Sequence, residues 1–215
     1  MEEVASSQID PVRPVTGQFY VVSVDSDGPV HSVEFVNERA LLSPPRLILR
    51  PVEGGFPPLP EPPRLVVTDP DRMPNDLDAS FSGYWLVSEA LKVVLEDSDP
   101  DGFQFVRCEF MLADGSQGEP HYLCDVVRCL DAIDLSASQV KVLTEGYPNG
   151  RYYSLTGGAK LAFNADVIRG AHVFRTPYTG SRVFCDRFLF DALTMRGFGE
   201  PQGARGVCLD DAADY

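Results

Sequence analysis

Short runs of β-forming residues in the N-terminal third of the chain predict strands separated by turns. Phe19–Val24 is such a run, and the sequence Asp-Ser-Asp-Gly that follows it is typical of a turn. A second extended run covers Val30–Val36, and we expect the two runs to pair as a β-hairpin. Arg64–Thr68 is a further short strand in this interpretation.

Two later segments share one order of elements: a short apolar strand, a capping residue, an amphipathic helix and another strand. In the first, Tyr84–Val87 precedes Ser88, whose hydroxyl suits the N-cap of a helix, and a strand is predicted at Phe103–Met111. The apolar stripe of the intervening helix consists of Ala90, Leu91, Val94 and Leu95.

The second segment repeats this order later in the chain. Val183–Cys185 is the strand, Asp186 is the N-cap and the helix runs through Met195. Gly197 follows at a position where helices often end in left-handed backbone. Val207–Leu209 then resumes an extended run, so the two segments indicate a weak internal repeat.

The intervening and N-terminal stretches are less regular. Apolar spacing at 121–133 fits either a helix or a buried strand, and both remain open here. Further strands are predicted at 151–155, 160–163 and 172–175. Between 43 and 63, eight prolines exclude a helix or a central strand, since proline lacks an amide donor and has a fixed φ. We interpret this part as an extended connector over the core, with a Pro-x-x-Pro ligand for another domain as the alternative.

These elements predict an α+β fold with a mixed, mainly antiparallel β-sheet and two or three helices. We expect a flexible tail at 1–16, an N-terminal subdomain of β-hairpin and proline-rich segment at 17–79, and a C-terminal α/β domain at 80–215. Hydrophobic residues make up 44% of the 215 residues, which is enough for a sizeable core.

The charge balance is strongly acidic, because 18 basic and 32 acidic residues give a net charge of −14. Such a chain should be repelled by nucleic acids and anionic membranes, where binding depends on lysine and arginine. A basic protein partner is the complementary prediction, and solubility alone is the competing explanation. The sequence begins without the features of a signal peptide and has no apolar run long enough for a membrane helix, so we expect a cytoplasmic protein.

One acidic stretch has a partial metal-binding pattern. Asp97–Gly102, with the sequence Asp-Ser-Asp-Pro-Asp-Gly, matches the opening of a calcium-binding loop. The twelfth position of such a loop should be a bidentate glutamate, but here it is Cys108, and Phe103 begins a strand too early. An acidic, solvated turn after a helix is therefore the better interpretation.

No other pattern assembles a catalytic or metal site. The three histidines, His31, His121 and His172, are far apart, and Cys124 and Cys129 are too loosely spaced for zinc without a second ligand pair. The chain has no Gly-x-Ser-x-Gly elbow, phosphate-binding loop or dinucleotide-binding glycine motif. The sequence therefore predicts a binding protein with no cofactor and no metal, and not an enzyme.

Several short motifs form a pattern that extends from Phe81 towards the end of the chain. They are Gly-Tyr-Trp-Leu-Val-Ser-Glu-Ala-Leu at 83–91, Phe-Gln-Phe at 103–105, Tyr-Leu-Cys-Asp-Val-Val-Arg-Cys-Leu-Asp at 122–131, His-Val-Phe-Arg at 172–175 and Arg-Val-Phe-Cys-Asp at 182–186. Together they resemble the eleventh class of bacterial polymorphic-toxin immunity proteins, over roughly residues 80 to 200. The resemblance favours a strand over a helix at 121–131.

The resemblance implies a cytoplasmic antitoxin, typically encoded beside an effector of a type VI or contact-dependent secretion system. Such a protein binds the toxin domain, here expected to be basic, and blocks its active site or substrate groove. Acidic loops and an exposed aromatic anchor should supply the contacts. The predicted partner-binding residues are Asp69, Asp71, Asp76, Asp78, Asp97, Asp99, Asp101 and Tyr178.

Two alternatives from other functional classes stay open. One is an adaptor or chaperone that loads a secreted effector. The other is a small enzyme with an unfamiliar site around His172 and Arg175, two side chains on either side of Phe174 in a predicted strand. Self-association is also left open.

Overall fold

The computed structural model describes residues 13–28, 32–42 and 46–215. The helices in this part are α1 (Glu38–Leu41), α2 (Glu89–Ser98), α3 (Ala165–Ile168) and α4 (Arg187–Thr194). The strands are β1 (Phe19–Val24), β2 (Val33–Phe35), β3 (Arg64–Val67), β4 (Leu77–Phe81), β5 (Tyr84–Ser88), β6 (Phe103–Arg107), β7 (Glu109–Met111), β8 (His121–Val126), β9 (Lys141–Leu143), β10 (Tyr152–Ser154), β11 (Val173–Arg175), β12 (Val183–Asp186) and β13 (Val207–Asp211). None of the described helices is long and apolar enough to span a membrane.

The strands form two four-stranded sheets and two smaller ones. The order in sheet one is β11-β12-β1-β13, and the order in sheet two is β4-β5-β8-β6. The smaller sheets contain β2-β3-β7 and β9-β10. All pairings between these strands are antiparallel except that of β3 with β7. The predicted α+β class with mainly antiparallel sheet is therefore confirmed.

The two similar segments of the sequence have the same topology in the structure. In sheet two, β5 and β6 both pair antiparallel with β8, which lies between them, and α2 connects them. In sheet one, β12 and β13 flank β1 in the same way, and α4 lies in their connection. Each segment is thus a split β-α-β unit, and the helices α2 and α4 pack against each other.

Both long helices begin at the predicted capping residues. The Ser88 side chain accepts a hydrogen bond from the Leu91 amide at 3.2 Å, and the Asp186 side chain accepts one from the Leu189 amide at 3.1 Å. Each bond satisfies an amide that has no partner within the first turn of its helix. Gly197, beyond α4, has a φ of 77°, as predicted for a helix end.

Three buried apolar clusters hold these layers together. The first lies between the paired helices and one face of both large sheets, the second covers the other face of sheet one, and the third covers the other face of sheet two. Successive side chains of a strand point to opposite faces of its sheet, so alternate residues of one strand belong to different clusters. In β1, Val22 belongs to the first cluster and Val21 to the second, and in β8, Cys124 belongs to the first and Leu123 to the third.

The chain beyond β8 joins the two large sheets. The Leu130 amide donates to the Arg175 carbonyl at 2.8 Å, and the Arg175 amide donates to the Arg128 carbonyl at 2.8 Å. This short parallel pairing places residues 128–130 along the edge strand β11 of sheet one.

The predicted hairpin of Phe19–Val24 with Val30–Val36 is wrong. β1 pairs with β12 and β13 along both of its edges, and β2 pairs with β3 instead. Residues 29–31 lie outside the described part of the chain. Because β1 is buried on both faces, its neighbours come from distant parts of the chain, and local spacing does not predict this.

Three further assignments differ from the sequence expectations. The strand predicted at 103–111 is interrupted at Cys108, and its two halves, β6 and β7, belong to different sheets. Residues 160–163 form isolated bridges with Gln139 and Ile133 instead of a strand. At 121–133 the strand β8 excludes the helical alternative, in agreement with the resemblance.

The predicted segment boundaries can be placed on this architecture. The proposed boundary between residues 79 and 80 falls inside β4, which pairs with β5, so the N-terminal part shares a sheet with the rest. Most of the predicted tail at 1–16 and residues 43–45 of the proline-rich segment lie outside the described residues. The described part of the proline-rich segment, residues 46–63, contains neither helix nor strand, as expected for an extended connector.

Candidate partner-binding surface

The acidic turn after α2 is divided between solvent and interior. Asp97 and Asp101 are exposed, whereas Asp99 between them is buried. Arg128 pairs with both carboxylate oxygens of Asp99, and its Nη2 lies 3.0 Å from Oδ1. The amides of His172 and Val173 donate to Oδ2 at 2.9 Å and 3.2 Å. Asp99 therefore fastens the turn to β11, and we leave it out of the contact surface.

The surroundings of Asp99 favour its charged form. Burial by itself would raise the pKa of this carboxyl, but hydrogen bonds from Arg128, His172 and Val173 and the charge of Arg128 hold the pKa below its ordinary value. The ion pair is thus a preorganised support for the exposed carboxylates on either side.

An open depression of about 710 Å³ lies beside this turn. Asp99 and Arg128 contribute to its lining, and Asp101, Asp166 and Arg169 are exposed residues along it. The lining carries three carboxylates and two guanidinium groups. Because Asp99 and Arg128 neutralise each other, Asp101, Asp166 and Arg169 are the charges that remain. Helix α3 and the α2–β6 turn thus bring Asp101 and Asp166 to one concave surface, although they are far apart in sequence.

The second predicted acidic loop, residues 69–78, is largely occupied by internal contacts. Asp76 accepts hydrogen bonds from Arg205 Nε at 2.7 Å and Nη2 at 2.9 Å. Asp78 is buried, and its Oδ2 accepts from the Asn75 amide at 2.8 Å.

The remaining two carboxylates of this loop lie nearer the solvent. Asp69 is half-buried and lies 3.5 Å from Arg72 Nε, and Asp71 is exposed. Asp71 is therefore the most accessible of the four predicted contacts in this loop.

Tyr178 is held against the protein surface. Its ring is half-buried, lies 5.1 Å from the ring of Tyr153 and packs against the second core cluster. The Arg151 guanidinium lies 3.9 Å from the ring centroid, in a cation–π contact. The ring is thus half-buried and packed, whereas the sequence suggested an exposed ring, and its role as a contact stays a prediction.

A buried ion cluster near the sheet junction was missed by the sequence analysis. Asp125, with no exposed surface, accepts hydrogen bonds from Arg50 Nε at 2.7 Å and from the Gly55 amide at 2.6 Å, and Arg175 Nη2 lies 3.1 Å away. The only sequence signal was a carboxylate inside the apolar run Leu-Cys-Asp-Val at 123–126. A buried charge requires partners, so this signal predicts a counter-ion but not which one.

His172 and Arg175, the residues of the alternative enzyme site, each pair with a different carboxylate. His172 Nδ1 lies 2.8 Å from Asp186 Oδ2, and the His172 ring stacks on Phe188 at 4.3 Å. Arg175 is buried and directed to Asp125. The two side chains therefore do not form a common polar site.

Histidine, cysteine, aspartate and glutamate side chains are the candidate metal ligands and nucleophiles in the described part of the chain. No group of three or more histidine, cysteine, aspartate or glutamate side chains there could hold a metal ion. Burial raises the pKa of the Cys108 thiol to about 12 and that of Cys124 well above its ordinary value. These two thiols are therefore inert, buried side chains.

The fold and these sites define an α+β protein in which a buried carboxylate, Asp99, holds an exposed acidic turn and a second, Asp125, holds the 46–55 loop. Residues 18–214 match the model of the Immunity protein family (Imm11), and the chain belongs to this family. The match extends the resemblance through the N-terminal third of the chain. A search of curated proteins finds no match. Family membership indicates a role in immunity to a toxin, with a cognate toxin as the partner.

Proposed function

We propose that this chain is a cytoplasmic immunity protein that binds the toxin domain of a type VI or contact-dependent effector and neutralises it without catalysis. The observation that carries this proposal is the family match over residues 18–214. Binding would cover the active site or the substrate groove of the toxin.

Charge supports a basic toxin domain as the partner. The chain has a net charge of −14, and Asp97, Asp101 and Asp166 are exposed around one depression and its neighbouring turn. Complementary charge accelerates encounter and selects the correct partner more than it adds to affinity. We therefore assign these carboxylates to the association step.

Growth measurements test the proposed function directly. The C-terminal domain encoded by the neighbouring open reading frame, as the candidate toxin, is expressed in the bacterial cytoplasm with or without this chain. Co-expression should restore growth, and growth arrest that persists despite a soluble, folded chain would contradict the proposal. The same test separates immunity from effector loading, because a loading adaptor has no reason to restore growth.

Association kinetics test the acidic turn. Replacement of Asp97 and Asp101 by lysine should slow association with the purified toxin domain about 10-fold at low salt, and the difference should shrink at high salt because exposed charges are screened. Glu145 and Glu200, also exposed, give a control pair with the same charge change. Equal slowing by both pairs would show that net charge matters and the position of the turn does not.

A further inference from the structure

The loop of residues 46–55 presents apolar side chains to solvent. Leu47 is 90% exposed, Ile48 52% and Val52 98%, while Leu49 among them is 1% exposed. Isolated exposed apolar residues are common on protein surfaces, but three within one short loop are a candidate interaction site. Their exposure follows from the way the loop is anchored.

Hydrogen bonds to sheet two hold the loop in place. The Leu49 amide donates to Ser82 Oγ at 2.7 Å, and the Arg50 amide donates to the Ser82 carbonyl at 3.1 Å. At the other end, the Tyr84 hydroxyl donates to the Gly55 carbonyl at 2.9 Å.

The buried Asp125 carboxylate bonds to both anchored positions of the loop. It accepts hydrogen bonds from Arg50 Nε at 2.7 Å and from the Gly55 amide at 2.6 Å. A loop ordered before binding presents its side chains with little further loss of conformational entropy.

The charge at this loop is mixed, because Arg50 is paired with Asp125, Glu53 is exposed beside Val52 and Arg46 is exposed at the start of the loop. Arg46 is exposed beside Leu47 and forms no ion pair with any described residue. A complementary surface would therefore have an apolar pocket with a carboxylate on its rim. This chemistry differs from the basic surface that would meet the acidic turn.

The loop and the acidic turn are supported by one short stretch of chain. Asp125 anchors the loop and Arg128 anchors the turn through Asp99. Gly55 also lies against Gln104, whose Oε1 would be 3.1 Å from a Cβ at Gly55, and Gln104 belongs to β6, the strand that follows the turn. The two elements are thus parts of one rigid framework.

We propose that Leu47, Ile48 and Val52 are the apolar anchors that hold the cognate toxin, inserting into a pocket whose rim carries a carboxylate opposite Arg46. This inference rests on the proposed function and assigns a second element of the interface. The anchors set the lifetime of the complex, whereas the acidic turn sets the rate at which it forms.

A double replacement tests the anchors: Leu47→Asp with Val52→Asp, measured against the purified toxin domain that the growth test identifies. We expect dissociation at least about 30-fold faster, the effect typical of lost hot-spot residues. Both side chains are exposed, so the thermal unfolding midpoint should stay unchanged. Leu47→Asp alone and Met195→Asp, at residues 90% and 84% exposed, add one charge each and form the matched pair, in which Met195→Asp should leave dissociation unchanged.

The outcomes separate the two proposals. If the wild-type chain neither binds the toxin domain nor restores growth, both proposals fail. If the wild-type chain binds and protects but the double variant dissociates at the same rate, only the anchor assignment is overturned. If Met195→Asp accelerated dissociation as much as Leu47→Asp alone, the anchor assignment would also be overturned, because any added charge would then suffice. Arg46→Glu should accelerate dissociation more than Arg46→Ala does, and the reverse order would contradict the carboxylate assigned to the rim.

Discussion

Arg50 donates its Nε hydrogen to Asp125 at 2.7 Å, although the two residues are 75 positions apart in the chain. Arg50 belongs to the proline-rich segment, and Asp125 lies at the centre of sheet two with no exposed surface. The pair therefore ties a segment without regular structure to a central strand of sheet two. The stability of the fold and the position of the 46–55 loop should therefore depend on this buried contact.

Replacement of Asp125 by asparagine should lower the free energy of unfolding by about 3 to 5 kcal/mol, because Arg50 and Arg175 would lose their buried counter-ion. Urea denaturation monitored by circular dichroism measures the change. Asp131→Asn is the control, since Asp131 and Arg151 form an exposed pair at 3.0 Å whose loss should cost less than about 1 kcal/mol. Equal effects of the two replacements would contradict the importance of burial.

Asp99 should contribute stability that depends on pH. Its pKa is lower in the folded protein than its ordinary value near 4, so its contribution is present above that value and is lost as the pH falls through the folded pKa. Asp99→Asn should therefore be less stable than the wild type at pH 7, by about 3 kcal/mol, and the difference should shrink below pH 4. Unfolding free energies measured from pH 2 to 7 check this, with the exposed Asp97→Asn as the variant expected to follow the wild type. A difference that stays constant with pH would contradict the role of the Asp99 charge.

His121 should produce a second pH dependence in a different range. Burial lowers its pKa, and its ring stacks on Phe110 at 4.1 Å, so the folded protein favours the neutral form. Stability from this group is present above its ordinary pKa near 6.5 and is lost as the pH falls towards the lower folded value. The wild type should therefore lose stability between pH 7 and 5 more steeply than His121→Gln in matched urea titrations. Parallel curves for the two proteins would rule this out.

Two glycines distinguish backbone strain from steric conflict. Gly206 has a φ of 84°, and a Cβ there would lie 2.3 Å from the Leu77 carbonyl oxygen. Gly146 has a φ of 81°, but a Cβ there would meet nothing within 4 Å. Gly146→Ala should cost about 1 to 2 kcal/mol from left-handed backbone alone, and Gly206→Ala should cost clearly more. Thermal unfolding of both variants checks the order, and similar losses would show that the contact with β4 relaxes easily.

The sequence by itself determined the elements that depend on neighbouring residues. The strand at Phe19–Val24, the N-caps Ser88 and Asp186, and the apolar stripes of α2 and α4 all follow from propensity, side-chain chemistry and periodicity within a few positions. The shared order of two segments also corresponds to two split β-α-β units in the structure. These features were predictable because the interactions that define them are local.

Only the tertiary structure decided which strands pair and which carboxylates are exposed. Asp97, Asp99 and Asp101 are the same residue type in one short run, yet only Asp99 is buried, because folding brings Arg128 against it. Arg128 lies 29 positions further along the chain, so the local sequence does not mark Asp99 as the buried one. β1 pairs with strands that lie far along the chain instead of the nearby run. Burial of a charge or of a strand edge requires a partner brought in by the packing of distant segments, and local sequence does not specify that partner.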